Sequence, residues 1–126
     1  MRLKLSPLEG SYAVCRLEAD DIIPVDLLIP GPDFVSISRT AEELSIVCPE
    51  DLAPADAKVT GGWRAFKVQG PLDFSLTGVI ATLTRPLAEA RISVFTVATF
   101  DTDYLLVQEK DLAAARKALA EFLLPQ

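Results

Sequence analysis

The chain has 126 residues, half of them apolar and about a quarter charged, enough for one domain or two very small units sharing a core. Its net charge of −6 repels phosphate backbones and argues against general nucleic-acid binding. With no histidine and no CxxC pair, the chain lacks a ligand set for zinc, and Ser-His-Asp and Cys-His catalysis are excluded.

From the N-terminus, "LKLS" and "SYAVCRLE" are short β-like segments joined by the turn "PLEG". The opening "MRLKLSPLEG" has neither a long apolar stretch nor a cleavage signature, and no apolar run reaches a membrane span, so a cytoplasmic protein without membrane contact is expected. In "ADDIIPVDLLIPGPDF", Pro24, Pro30 and Pro32 forbid a long helix and leave one or two turns around Val25 to Ile29. "FVSIS" and "ELSIVC" read as a hairpin around "RTAE", and "PEDLAPADAKVTGG" as a polar connection. Cys15 and Cys48 lie in apolar strand-like runs and read as buried, reduced, inert thiols.

The second half continues with the strand "WRAFKVQG", ending before Pro71. In "SLTGVIATLTRPLAEA", Leu76, Val79, Ile80, Leu83 and Leu87 have helical spacing, so a helix is expected from about Ser75. Pro86 should kink that helix or remove one of its hydrogen bonds, and Arg91 sits in the turn after it, where glycine would be easier if φ is positive. "ISVFTVATF" and "YLLVQE" are strands. A second helix, "DLAAARKALAEFLL", is expected with Asp111 as its N-cap.

At an offset of 60 residues, 34–53 lies over 94–113 without a gap, keeping the apolar rhythm and four identities: Val47/Val107, Asp51/Asp111, Leu52/Leu112 and Ala53/Ala113. A duplication follows, with one unit at 1–60 and the other at 61–126. The expected class is α+β: two ferredoxin-like units, antiparallel sheets with helices packed on one face. The second half ends in a helix, so its sheet must be completed from elsewhere; "LKLS" or "SYAVCRLE" can do so within the chain, and residual edges favour an oligomer.

The run from Gly70 to Ala115, with "TGVIATLTRPLAEARIS" and above all "TFDTDYLLV", resembles the ACT domain family, in the group of small bacterial proteins that pack two ACT units in one chain. The pattern is also similar to the aspartate-kinase regulatory region and the cytosolic arginine sensor of animals. The resemblance is clear from Trp63 to Phe122, and the first half matches as a shortened, degenerate copy. It departs from the family at Arg91, where glycine is frequent, and in a first unit with no glycine-led helix. The resemblance implies a non-catalytic regulatory module that binds an amino acid at an ACT–ACT interface, in a homo-oligomer, with no cofactor and no metal.

In that frame Ser75, Leu76, Thr77, Gly78 and Val79 form a helix mouth whose free N–H groups can receive a carboxylate. Asp103 would face the ligand's ammonium. Each also has a plainer reading: a helix capped by Asp73 or Ser75 with a packing glycine, and a turn or strand-edge charge at Asp103. Asp101, beside Thr102, reads as a turn residue. Phe100 either closes the pocket or packs in a core or interface. The rival function is a structural dimerisation adaptor with no ligand.

Overall fold

The computed structural model describes residues 2–73 and 75–123. Its strands are β1 (Leu5–Pro7), β2 (Tyr12–Leu17), β3 (Ser36–Arg39), β4 (Leu44–Pro49), β5 (Lys58–Val68), β6 (Phe95–Ala98) and β7 (Asp103–Gln108). Its helices are α1 (Val79–Glu89) and α2 (Leu112–Ala118), and single 3₁₀ turns stand at Val25–Leu27, Glu50–Leu52 and Glu109–Asp111. The chain divides into two units, one of Gly10–Trp63 and one of Met1–Glu9 with Arg64–Gln126. The first nine residues therefore belong with the C-terminal unit, whereas a division at residue 60 places them in the other.

In the Gly10–Trp63 unit the strand order is β3-β4-β2-β5, with every pairing antiparallel. Alternation puts Ala13, Cys15 and Leu17 of β2 on one face with Leu44, Ile46 and Cys48 of β4, and Leu27 from the 3₁₀ turn completes this core. Three prolines between β2 and β3 leave room for that turn and nothing longer, so this unit has no α-helix among its described residues. The expected connection over 49–62 is corrected: Lys58–Gly62 are already strand, paired to β2 through Arg16↔Lys58, Cys15↔Val59 and Val14↔Thr60. An irregularity in that ladder near Tyr12 coincides with the glycine pair that had marked the segment as a loop.

Both cysteines belong to this core. Burial raises the Cys15 thiol, and burial together with its neighbour Cys15 pushes Cys48 up to about 12. Thiol reagents should therefore label the folded protein slowly and the urea-unfolded protein fast, a difference readable by mass spectrometry.

In the C-terminal unit the order is β1-β5-β7-β6. β1, from "LKLS", supplies the outer strand that the sequence required, pairing antiparallel with β5 through Leu5↔Val68 and Pro7↔Phe66. Leu5, Phe66, Val68, Leu105 and Val107 form the core face, and both helices cover it with Val79, Leu83, Leu87 and Ala115. This unit is an α+β fold with its two helices on one face of the sheet.

Helix α1 starts at Val79, not at Ser75. The Asp73 carboxylate accepts the Ser75 N–H at 2.8 Å and the Asp73 carbonyl accepts Leu76 N–H at 3.0 Å, closing a turn, while Gly78 at φ 77° cannot be helical. Neither Asp73 nor Ser75 caps the helix; the N-cap position falls on Gly78, which has no side chain to offer. Asp111 stands at the N-cap of α2 but makes no side-chain capping bond, because the 3₁₀ turn before it already orders that entry. At the end of α1, Ile92 N–H reaches Leu87 O at 2.9 Å and Arg91 N–H reaches Ala88 O at 3.0 Å, a Schellman closure that forces Arg91 to φ 60°. Arg91→Gly should stabilise the fold by about 0.5–1 kcal/mol in urea titrations, since glycine holds this conformation without Cβ strain.

The two hairpins share one internal geometry. Ser36↔Val47 and Arg39↔Leu44 in the first correspond to Phe95↔Leu106 and Ala98↔Asp103 in the second. Both turns open with a threonine: Thr40 N–H donates to Glu43 O at 2.9 Å, and Thr99 N–H donates to Thr102 O at 2.8 Å. In each turn the threonine Oγ1 then takes the N–H of the fourth residue, at 3.1 and 3.2 Å. The equivalence runs at 59 residues, from Thr40 to Thr99, so the gapless offset of 60 is one residue out. Asp103 therefore stands at the ladder position of Leu44, where an offset of 60 would give Glu43.

Candidate functional site

Two connections of the C-terminal unit, β5–α1 and β6–β7, meet beside α1. After β5, Gly70 lies so close to the β6–β7 turn that a Cβ there would meet Asp101 O at 3.0 Å and Thr102 Cβ at 3.1 Å. Leu72 N–H donates to Asp101 O at 2.7 Å, and the buried Thr102 donates its hydroxyl to Val68 O at 2.6 Å. These two bonds strap the hairpin turn to the end of the central strand. Thr102→Val keeps the shape and removes the donor to a buried carbonyl. It should cost about 1–3 kcal/mol of stability in urea titrations.

Above this strap opens a cavity of about 370 Å³, lined by Leu76, Gly78, Val79, Phe100 and Asp103 together with Leu72, Asp73, Ile80, Ala98, Thr99, Asp101 and Thr102. Its volume suits a small ligand. Of the seven site residues expected from sequence, five line it. Ser75 and Thr77 are exposed and do not, because the helix begins four residues later than its apolar spacing suggested.

Helix α1 opens onto the cavity with its N-terminal amides. Its first turn closes with Thr82 N–H to Gly78 O at 2.9 Å, so the amides of Val79, Ile80 and Ala81 precede any helical bond, and among the described residues no side chain caps them. The macrodipole adds positive potential at the same place. Gly78 has no Cβ to cover these groups, and open space surrounds the position where one would stand.

Asp103 faces the same space. Alternation along β7 sets it on the helix side of the sheet with Leu105 and Val107, and partial burial raises its carboxyl above the ordinary range. Asp73 is the opposite case: the Ser75 amide bond lowers its carboxyl, so it is committed to its turn. Asp101, read from sequence as a turn residue only, also lines the cavity, and its carbonyl carries the strap. Phe100 stands exposed at the rim rather than in a core. The charged side chains of the lining are all acidic. Sequence reasoning missed the strap through Gly70 and Thr102, which no local pattern encodes because its partners lie 34 residues apart.

An α+β unit with a ligand-sized cavity at an uncapped helix mouth defines the class. The model of the ACT domain matches residues 58–121, and a model of an N-terminal domain matches residues 10–56. The chain belongs to the ACT domain family. A crystal structure of a protein from Agrobacterium tumefaciens is 44% identical, with a TM-score of 0.88, covering 100% of this chain and 95% of that one. The mouse cytosolic arginine sensor for mTORC1 subunit 1 is 31% identical over 71% of this chain and 31% of its own length. The regulatory subunit of aspartate kinase from Thermus thermophilus, 12% identical, shares the fold with a TM-score of 0.61 over 96% of this chain and 97% of that one. The chain spans a little over half the length of one curated relative it matches and about a third of the sensors.

Proposed function

We propose that the protein is a non-catalytic regulatory module that binds an amino acid in this cavity, acting in the cytoplasm as a homo-oligomer whose second ACT domain closes the open side. The observation that carries the reading is the pairing of opposite potentials across one ligand-sized space. The amides at the start of α1, which no described side chain caps, suit a carboxylate, and the partly buried carboxylate of Asp103 suits an ammonium. The exposed ring of Phe100 and the side chain of Leu76 at the same rim give an apolar border on which a partner surface could seat. Membership of the ACT family and the names of the relatives support a regulatory, ligand-binding role.

The matching hairpins and strand orders support reading the Gly10–Trp63 unit as a second, degenerate ACT-like unit. It has lost its crossover helix, and Leu44 fills the place of Asp103, so it offers no second site of this kind.

A thermal-shift screen against the twenty amino acids tests the reading, with arginine tried first because of the mouse relative's name. A ligand at 100 times its Kd adds about 2.7 kcal/mol of stability, an upward shift that is readily measured. No shift with any of them would overturn ligand binding and leave a dimerisation adaptor. Light scattering should show a dimer or larger assembly; a monomer at high micromolar concentration would remove the interface.

A further inference from the structure

The described residues include seven exposed large apolar side chains, and four of them fall within eight residues of the loop between β2 and β3. Ile22 is 89% exposed, Val25 66%, Leu28 61% and Ile29 53%. Exposed apolar residues are ordinary when scattered, but a cluster this dense marks a contact surface. Its shape is held from within. Leu27 anchors the loop in the core, a 3₁₀ turn fixes Val25–Leu27, and Leu28 N–H closes on Val25 O at 2.9 Å. In such a turn, residues three apart lie on one side, which aligns Val25 with Leu28 away from buried Leu27. Pro24, Pro30 and Pro32 restrict the flanks, so little conformational entropy is lost when the surface is covered.

The charge around the cluster selects the occupant. Asp20, Asp26 and Asp33 are exposed within and beside it, and among the described residues none of them pairs with a base or accepts a hydrogen bond. From Glu18 to Ser38 the chain has no lysine or arginine. Arg39, the next base, is committed to the carbonyls of Ala19 and Asp21. An isologous contact with a second copy would bring these acids against their own images. We infer that the Ile22–Ile29 loop is a docking surface for a partner protein's amphipathic segment that carries basic residues beside an apolar stripe. The apolar stripe covers Ile22, Val25 and Leu28, and the bases pair with Asp20, Asp26 and Asp33.

The test uses the full chain and two labelled helical peptides, one of leucine and lysine and one of leucine and glutamate, read by fluorescence anisotropy. The lysine peptide should bind and the glutamate peptide should not. Ile22→Ser/Leu28→Ser should weaken binding about tenfold or more, because two apolar contacts are lost while charge is unchanged. Asp20→Asn/Asp26→Asn should weaken it about as much at low salt and less at high salt, and it keeps the test readable if the serine variant fails to fold. Undiminished binding to the serine variant, or equal binding of both peptides, would overturn the proposal. So would sedimentation showing a wild-type dimer that the serine variant disperses, since a second copy would then be the occupant.

Discussion

Asp103→Asn should weaken binding of the amino acid found in the screen about 10- to 150-fold, the loss of one charge-assisted bond worth about 1.5–3 kcal/mol in an enclosed site. The variant keeps the shape and an accepting oxygen, so calorimetry reads the charge alone. Stability should move the other way. Burial holds this carboxyl above its ordinary range, so the folded protein keeps the proton more tightly than the unfolded chain does. The ionised form then lowers stability as pH rises through the raised value, and asparagine removes that cost at neutral pH. Affinity has the reverse dependence, because the ammonium needs the ionised carboxylate: wild-type binding should weaken as pH falls through the same range, and binding to Asp103→Asn should not. Asp101→Asn should be nearly silent, since its backbone carbonyl carries the strap to Leu72. Equal losses at both positions, or a flat pH profile in the wild type, would remove Asp103 from the site.

Much of this architecture was legible in residue spacing. Apolar strand-like runs mark β2, β4, β6 and β7, alternation marks the second half of β5, and the three prolines between β2 and β3 limit that crossover to a single 3₁₀ turn. Arg91, where glycine would be easier, does adopt positive φ. Leu76 continues the apolar spacing and predicts a helix from Ser75, while the Asp73 turn and the φ of Gly78 place the start of α1 at Val79. Lys58–Gly62 looked like a loop because glycine is poor in strands, yet pairing with β2 recruits it. An offset of 60 follows the "DLA" identities, which lie just past the strands, whereas the hairpin ladders match at 59. Asp51 is in the middle of its 3₁₀ turn, whereas Asp111 ends one and opens α2. A one-residue slip is small in an alignment and large in a sheet, because it moves every side chain to the opposite face.

The corrected register makes the largest stability prediction, a reciprocal exchange between the hairpins. Leu44 and Asp103 occupy equivalent ladder positions, opposite Arg39 and Ala98, on the core-facing side of their strands. Leu44 is fully buried with Leu17, Ile46 and Cys48, in a unit whose crossover carries no helix mouth. Asp103 keeps partial exposure because α1 starts beside it with open space around Gly78. Leu44→Asp would delete a buried leucine, worth about 2–5 kcal/mol in cavity-forming substitutions, and would leave a carboxyl in an apolar core with no base within it. Against a typical total of about 5–15 kcal/mol, this should leave the protein largely unfolded or retained only at low temperature. Asp103→Leu should do the opposite: it replaces a desolvated carboxylate by an apolar side chain continuing the Leu105 and Val107 row. Urea stability should hold or rise, and amino-acid binding should vanish. The two substitutions exchange the same pair of residue types, so composition cannot explain a difference between them. If Leu44→Asp costs under about 1 kcal/mol, or Asp103→Leu destabilises as strongly, the two positions are not equivalent.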